Sequence, residues 1–400
     1  MVPILSNKNS SLGNVLVIGG CGFLGHHIVK ILHSSYNCTI SVIDLHTNRN
    51  RLPENDGVIY FNGDITSIES ILPTFLQIKP EIVIHTASPT LTGASRELYR
   101  RVNVEGTRCV IEACQKVSVM ALIYTSSASI ISDNVTDLIN ADEKWPIIPA
   151  KSQSEYYSET KVCTSKLLRA TKAHFLIVRL TPIMAQAEAL VLTANRSASH
   201  PSLLTCSLRP AGIFGEGDVQ LIPNMLKVYE NNKTGFQLGD NCNLFDFTYV
   251  GNVAQAHCLA AVALKATSSL STIPLSHEKV DGESFIITND QPIYFWDFAR
   301  AVWRAAGSEK SNQHVWEISK DLGMLIGGIM EWTMWCMGKV PSLTRRQVRY
   351  SCMTRYFDCS KAKRLLGYRP DVTLREGIER SVRWFEDQKT SKFSKNEKYG

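Results

Sequence analysis

The chain has no block of like charge and no apolar run long enough to cross a bilayer. Its 43 Lys and Arg and 37 Asp and Glu are dispersed. The resulting net charge of +6 is too mild and too scattered for a nucleic-acid face. The most apolar stretch, Leu322–Met337, falls short of the roughly 20 residues of a membrane helix and carries Glu331 midway. It reads as a core helix, an interfacial helix or a lid over an apolar pocket. The eleven Cys have no framework spacing and follow no secretory leader, so a reducing compartment is expected. No Cys/His cluster has metal-ligand spacing, and no metal is expected.

What is present is a strand, a glycine turn and a helix near the amino terminus. Val15–Ile18 is β-branched, Gly19-Gly20-Cys21-Gly22-Phe23-Leu24-Gly25 follows at once, and His26–Leu32 has helical periodicity. Gly19, Gly22 and Gly25 let the backbone turn, approach a pyrophosphate and pack helix on strand, and the amides at Phe23 and Leu24 open the helix toward the anion. Thr39–Ile43 is the next strand and ends on Asp44, placed to accept from both ribose hydroxyls. Asp44 favours NAD over NADP, although Arg49 and Arg51 offer partners for a 2′-phosphate. Cys21 reads as a small side chain, not a nucleophile.

The alternation continues. Val58–Phe61 leads to Asp64 and Ile65, an acceptor and an apolar face for an adenine. Glu81–His85 is a strand with Thr86 and Ala87 at its carboxyl end, where open α/β sheets bind ligands. His85 reads as a hydrogen-bonded core residue. Asn103 either caps the helix it opens or orients a water. Ala121–Thr125 ends in a Ser-rich turn from which Ser127 can donate to a substrate oxygen. Tyr157 and Lys161 lie four apart on one helix face. The ammonium stabilises the phenolate, pulls its pKa down and makes Tyr157 a usable general base. The fold class expected is α/β, a Rossmann-type doubly wound parallel sheet with a smaller carboxyl-terminal substrate lobe. Residues 14–205 form the nucleotide-binding part, 206–387 complete the sheet and build the lobe, and 388–400 read as a disordered Lys-rich tail.

Gly19 to Gly25, Ser127, Tyr157 and Lys161 resemble the signature of extended short-chain dehydrogenases. The runs Thr205–Asp218, Phe245–Ala254 and Asn289–Phe298 resemble the 3β-hydroxysteroid dehydrogenase branch, and within it the fungal sterol enzymes. The resemblance implies oxidation of the 3β-hydroxyl of a 4α-carboxysterol by NAD(P), giving a β-keto acid that loses carbon dioxide. It also implies that Tyr157 accepts the proton, Lys161 holds the nicotinamide ribose, Ser127 binds the substrate oxygen, and Pro210 to Ile213 line the nicotinamide. A homodimer is implied, at the cytosolic face of the endoplasmic reticulum or in the cytoplasm, with peripheral membrane contact. A dehydrogenase of a triterpenoid or meroterpenoid pathway would show the same motifs. A non-catalytic NAD-binding scaffold is the reading from another class.

One segment departs from the family pattern. Val162 to Met184 stands between Lys161 and Ala185, although Ala185–Leu192 would continue the helix of Lys161 well. It contains a strand-like run, His174–Thr181, closed by Pro182, which a helix interior resists. It is either an insertion forming a surface flap or an in-frame intron retained in the coding sequence. Either way it is expected to pack poorly, with the helix resuming near Ala185.

Overall fold

Short runs of Val, Ile and Leu become a seven-stranded sheet in the computed structural model, which describes residues 11–89, 95–148, 172–309, 315–339 and 341–396. The strands are β1 Ser11–Ile18, β2 Asn37–Asp44, β3 Ile59–Asn62, β4 Ile82–His85, β5 Ala121–Thr125, β6 Leu204–Pro210 and β7 Glu283–Ile287. Their order is β7-β6-β5-β4-β1-β2-β3, and every ladder is parallel. The order runs outward from β1 in both directions, so a crevice opens at the carboxyl ends of β1 and β4.

Helices cover both faces: α1 Phe23–Ser35, α2 Ile68–Ile78, α3 Arg96–Arg100, α4 Thr107–Lys116, α5 Lys172–Ala194, α6 Leu221–Glu230 and α7 Val250–Ser268. Alternate residues of β1 feed the two layers. Val15 and Val17 pack with Ile28 of α1 and Val253 of α7. Leu16 and Ile18 pack with Phe75 of α2, Val110 of α4 and Val191 of α5. Burial on both faces explains why the strand reads as an unbroken apolar run. A second sheet joins strands 293–294, 244–245, 355–357 and 138–141 in that order. Chain from before and after residue 205 therefore interleaves in the smaller lobe.

Two expectations fail. Residues 174–182 are not strand-like: α5 runs through them and through Pro182 without interruption. Ile183 is buried beside Tyr99 and Val104, so the end of the departing segment is packed. Strand propensity is a weak prior that tertiary packing overrides, and the turns anchored on the sheet carry the one backbone bond that Pro182 cannot make. The last helix, Leu374–Asn396, extends into the tail read as disordered. No helix among the described residues is long and apolar enough to cross a membrane.

Candidate active site

The glycine turn is shaped by contacts that exclude side chains on one side and leave the other open. Gly19 has φ +82°, and a Cβ there would lie 2.8 Å from Ala87 N and 2.9 Å from Thr86 Oγ1. At Gly25 a Cβ would sit 2.1 Å from Gly19 O, so helix and turn touch backbone to backbone. At Gly22 the carbonyl of Gly19, 3.1 Å away, is the only near neighbour of a Cβ among the described residues, so a ligand can approach the backbone there. α1 begins at Phe23 with no side-chain cap, and the amides of Phe23 and Leu24 remain for an anion. Thr86 donates from Oγ1 to Ile18 O at 2.9 Å, which ties the end of β4 to the turn. This cradle fits the pyrophosphate of a dinucleotide.

Asp44 ends β2 beside the same turn. Its Oδ2 accepts from the Cys21 amide at 3.0 Å and its Oδ1 from the His46 amide at 3.3 Å. Arg51 lies over the Tyr60 ring, 4.7 Å from its centroid, in the following loop. Asp64 is exposed and accepts from the amide and hydroxyl of Thr66. Ile65 is buried, and a Cβ at Gly106 would meet it at 2.8 Å. Cys21 is buried and its thiol is pushed up to about 11 by burial, so it is held as a neutral thiol.

Ser127, expected from the sequence to meet a substrate oxygen, stands just past the end of β5. Ser127 Oγ accepts from the Ser129 amide at 3.1 Å, which leaves its own proton free to donate. Pro210 closes β6 and Ile213 is half-buried in the strand Gly212–Phe214. Tyr157 and Lys161 lie outside the described residues. His85 is buried, contacts Thr107 Oγ1 at 3.1 Å through Nε2 and is driven down to about 4 by burial, so it is a neutral core residue. Asn103 does not open a helix. It sits in a π-turn, Arg101–Gly106, within a continuous helical stretch from α3 to α4. It is 2 % exposed, and neither its Nδ2 nor its Oδ1 has a hydrogen-bond partner among the described residues. Such turns recur at functional sites.

Sequence reasoning passed over three features. Gly20 is required because a Cβ would meet Val42 at 2.7 Å. Glu188 of α5 accepts from Arg209 Nη2 at 2.5 Å and from Ser207 Oγ at 2.7 Å, a buried pair joining helix to sheet. Glu216 accepts from Tyr249 Oη at 2.9 Å, and its carbonyl lies 2.9 Å from His27 Nε2, which closes a loop over α1. The adjacent Gly-Glu-Gly-Asp signals a turn, but not its partner.

A family model for the 3-beta hydroxysteroid dehydrogenase/isomerase family matches residues 16–176 and 179–318. The chain belongs to this family. The match breaks at residues 177 and 178, inside the departing segment. The sterol-4-alpha-carboxylate 3-dehydrogenase, decarboxylating, of Schizosaccharomyces pombe is 41 % identical over 379 residues, covering 94 % of this chain and 99 % of that protein. The mouse protein of the same name is 34 % identical over 383 residues, covering 95 % and 93 %. The fold matches the Thermus thermophilus UDP-glucose 4-epimerase in complex with NAD, with TM-score 0.63, 22 % identity and coverage of 93 % and 99 %. In this 3-beta hydroxysteroid dehydrogenase/isomerase family member the glycine cradle, Asp44 and Ser127 stand at the carboxyl edge of one sheet.

Proposed function

We propose that the chain oxidises the 3β-hydroxyl of a 4α-carboxysterol with NAD, and that the 3-ketone then loses carbon dioxide from carbon 4. The observation that carries this reading is identity along almost the whole length of sterol-4-alpha-carboxylate 3-dehydrogenases as distant as fission yeast and mouse. The cradle at Gly19, Gly22, Gly25, Thr86 and Ala87 supports the cofactor half, and Asp44 supports NAD. Bound NAD supplies the hydride acceptor. Tyr157 takes the hydroxyl proton as the C–H pair leaves carbon 3. Lys161 keeps the phenol acidic enough to do so, and Ser127 donates to the oxygen. In the ketone, the electron pair of the bond between carbon 4 and its carboxylate passes into the enolate, and carbon dioxide leaves.

The helix Lys320–Cys336 supports contact with a membrane surface at the cytosolic face of the endoplasmic reticulum. It docks through Gly323 and Gly327, where a Cβ would meet Val348 and the Arg345 backbone within 3 Å. Its other side presents Leu325, Ile329 and Trp332, 61 %, 53 % and 63 % exposed. An outward apolar stripe on a helix with basic neighbours suits an interfacial position. We also read residues 162–184 as an insert into the helix that carries Tyr157 and Lys161, and the active molecule as a homodimer.

NADH formation from a 4α-carboxysterol, measured beside a panel of 3β-hydroxy triterpenoids and meroterpenoids, tests the reading. Turnover of the carboxysterol is expected, and Tyr157→Phe should bind NAD yet lose about 10²–10⁴-fold in turnover. Preferential turnover of the terpenoids, or NAD binding with no turnover of any alcohol, would overturn it.

A further inference from the structure

A buried cation with no counter-ion among the described residues stands behind the Ser127 turn. Arg355 begins the strand Arg355–Phe357, held between Phe245 on one side and Leu138 on the other. It is 6 % exposed. Its Nη2 donates to Ser129 Oγ at 2.8 Å, and the Ser129 amide donates to Ser127 Oγ. A hydrogen-bonded path therefore runs from the guanidinium to the hydroxyl read as the substrate's partner.

No carboxylate among the described residues lies within ion-pair distance of Arg355. Asp246, whose amide donates to the Arg355 carbonyl across the ladder, directs Oδ2 to the Phe357 amide at 2.8 Å instead. Arg209, the other buried guanidinium among the described residues, is neutralised by Glu188. Burying a charge without a partner is costly, and burial already presses on the charged form of Arg355. Next to it, Phe357 packs with Ala128, Ile130 and Ile131 in an apolar wall. A fork of donors at the margin of an apolar wall matches a carboxylate carried on a hydrocarbon skeleton.

We infer that Arg355, positioned by Ser129, binds the carboxylate of the substrate and sets the preference for acid over neutral sterols. This rests on the proposed reading. In a 4α-carboxysterol the hydroxyl and the carboxylate sit on adjacent ring carbons, so the group that meets the carboxylate must neighbour the one that meets the hydroxyl. Ser127 and Ser129, two residues apart on one turn, satisfy that requirement.

The test is equilibrium binding to the NADH-saturated full chain, which cannot oxidise an alcohol, comparing a 4α-carboxysterol with its methyl ester. The wild type is expected to prefer the acid by about 10- to 100-fold, the contribution of hydrogen bonds to a charged group. Arg355→Met should abolish that preference while leaving the affinity for the ester and for NAD unchanged. Arg355→Lys should retain part of it, and Ser129→Ala should lower it several-fold. If Arg355→Met does not fold, the Lys and Ala variants decide. Equal loss for acid and ester, the signature of a merely structural Arg, would overturn the inference, as would a preference that survives in these variants. A wild type that binds neither sterol would instead refute the functional reading on which the inference rests.

Discussion

Deleting Val162–Met184 is expected to raise both stability and turnover. The register of α5 beyond the cut is pinned, because Glu188 is 1 % exposed and locked to Arg209 and Ser207. The Val191 carbonyl also accepts from Thr205 Oγ1 at 2.8 Å. Joining Lys161 to Ala185 therefore places Lys161 where Met184 stands, Thr160 at Ile183, Glu159 at Pro182 and Tyr157 at Leu180. That turn of α5 lies against the Ser127 turn, since Met184 and Ala185 pack on the cluster of Ala128, Ile130 and Ile131. In the full chain this place is held by the segment itself.

The magnitude follows from two opposing terms. Proline inside a helix costs about 3 kcal/mol, and Glu159 in its place removes that cost. Thr160 in place of the buried Ile183 forfeits about 1–2 kcal/mol of apolar burial. Shortening the connection changes loop closure by less than about 1 kcal/mol. The net gain is about 1–2 kcal/mol, a rise of a few degrees in Tm. Carrying Tyr157 on one continuous helix against the Ser127 turn should hold the general base in place more firmly, so turnover is expected to rise. Scanning calorimetry and NADH formation on both chains check this, with sequencing of transcripts beside them. A deletion variant less stable and less active than the full chain, with every transcript encoding the segment, would refute the reasoning.

Asp44→Ala should weaken NAD and narrow its advantage over NADP, read as the two Kd values by titration; a tenfold preference for NADP in the wild type would shift the assignment to Arg49 or Arg51. Trp332→Ser with Trp335→Ser should lower co-flotation with liposomes without lowering Tm, whereas unchanged flotation would assign the stripe another role. Asp246→Asn tests a buried acid whose pKa is raised to about 7 by burial. The unfolded chain loses that proton near pH 4 and the folded chain near 7, so Asp246 removes stability as pH rises between them, and the variant's Tm advantage over wild type should grow from pH 4 to pH 7. His85 and His257, both pressed down to about 4 by burial, act in the opposite direction, being neutral when folded. A Tm difference that does not change with pH would remove Asp246 from the account.

The nucleotide-binding half was legible because its determinants are local. A β-branched run, a glycine turn and a periodic helix lie within 20 residues, and each acts on its chain neighbours. What escaped depends on tertiary contact. Gly20 carries no sign that Val42 will press on it, and nothing near Asn103 announces a π-turn, whose Gly106 must admit Ile65 from just past the end of β3. Pro182 was misread for the same reason, since the packing that holds α5 comes from β6, some 20 residues on.

The substrate half is a different kind of structure. Ser127 follows β5, but the turn it begins is held from afar: Ser126 N donates to Leu208 O at 2.7 Å across the sheet. Arg355 reaches Ser129 from 226 residues away, and Met184 packs on Ala128 and its neighbours from α5. The adenosine and pyrophosphate end of the cofactor can therefore stay bound through changes that leave residues 11–89 intact, while on the proposed reading substrate choice depends on three distant segments meeting at one turn. This predicts a separation in any variant series: changes at α5, the Ser127 turn or Arg355 should move sterol affinity and turnover while the Kd for NAD stays fixed. A parallel loss of NAD affinity would mean that the two halves fold as one inseparable unit.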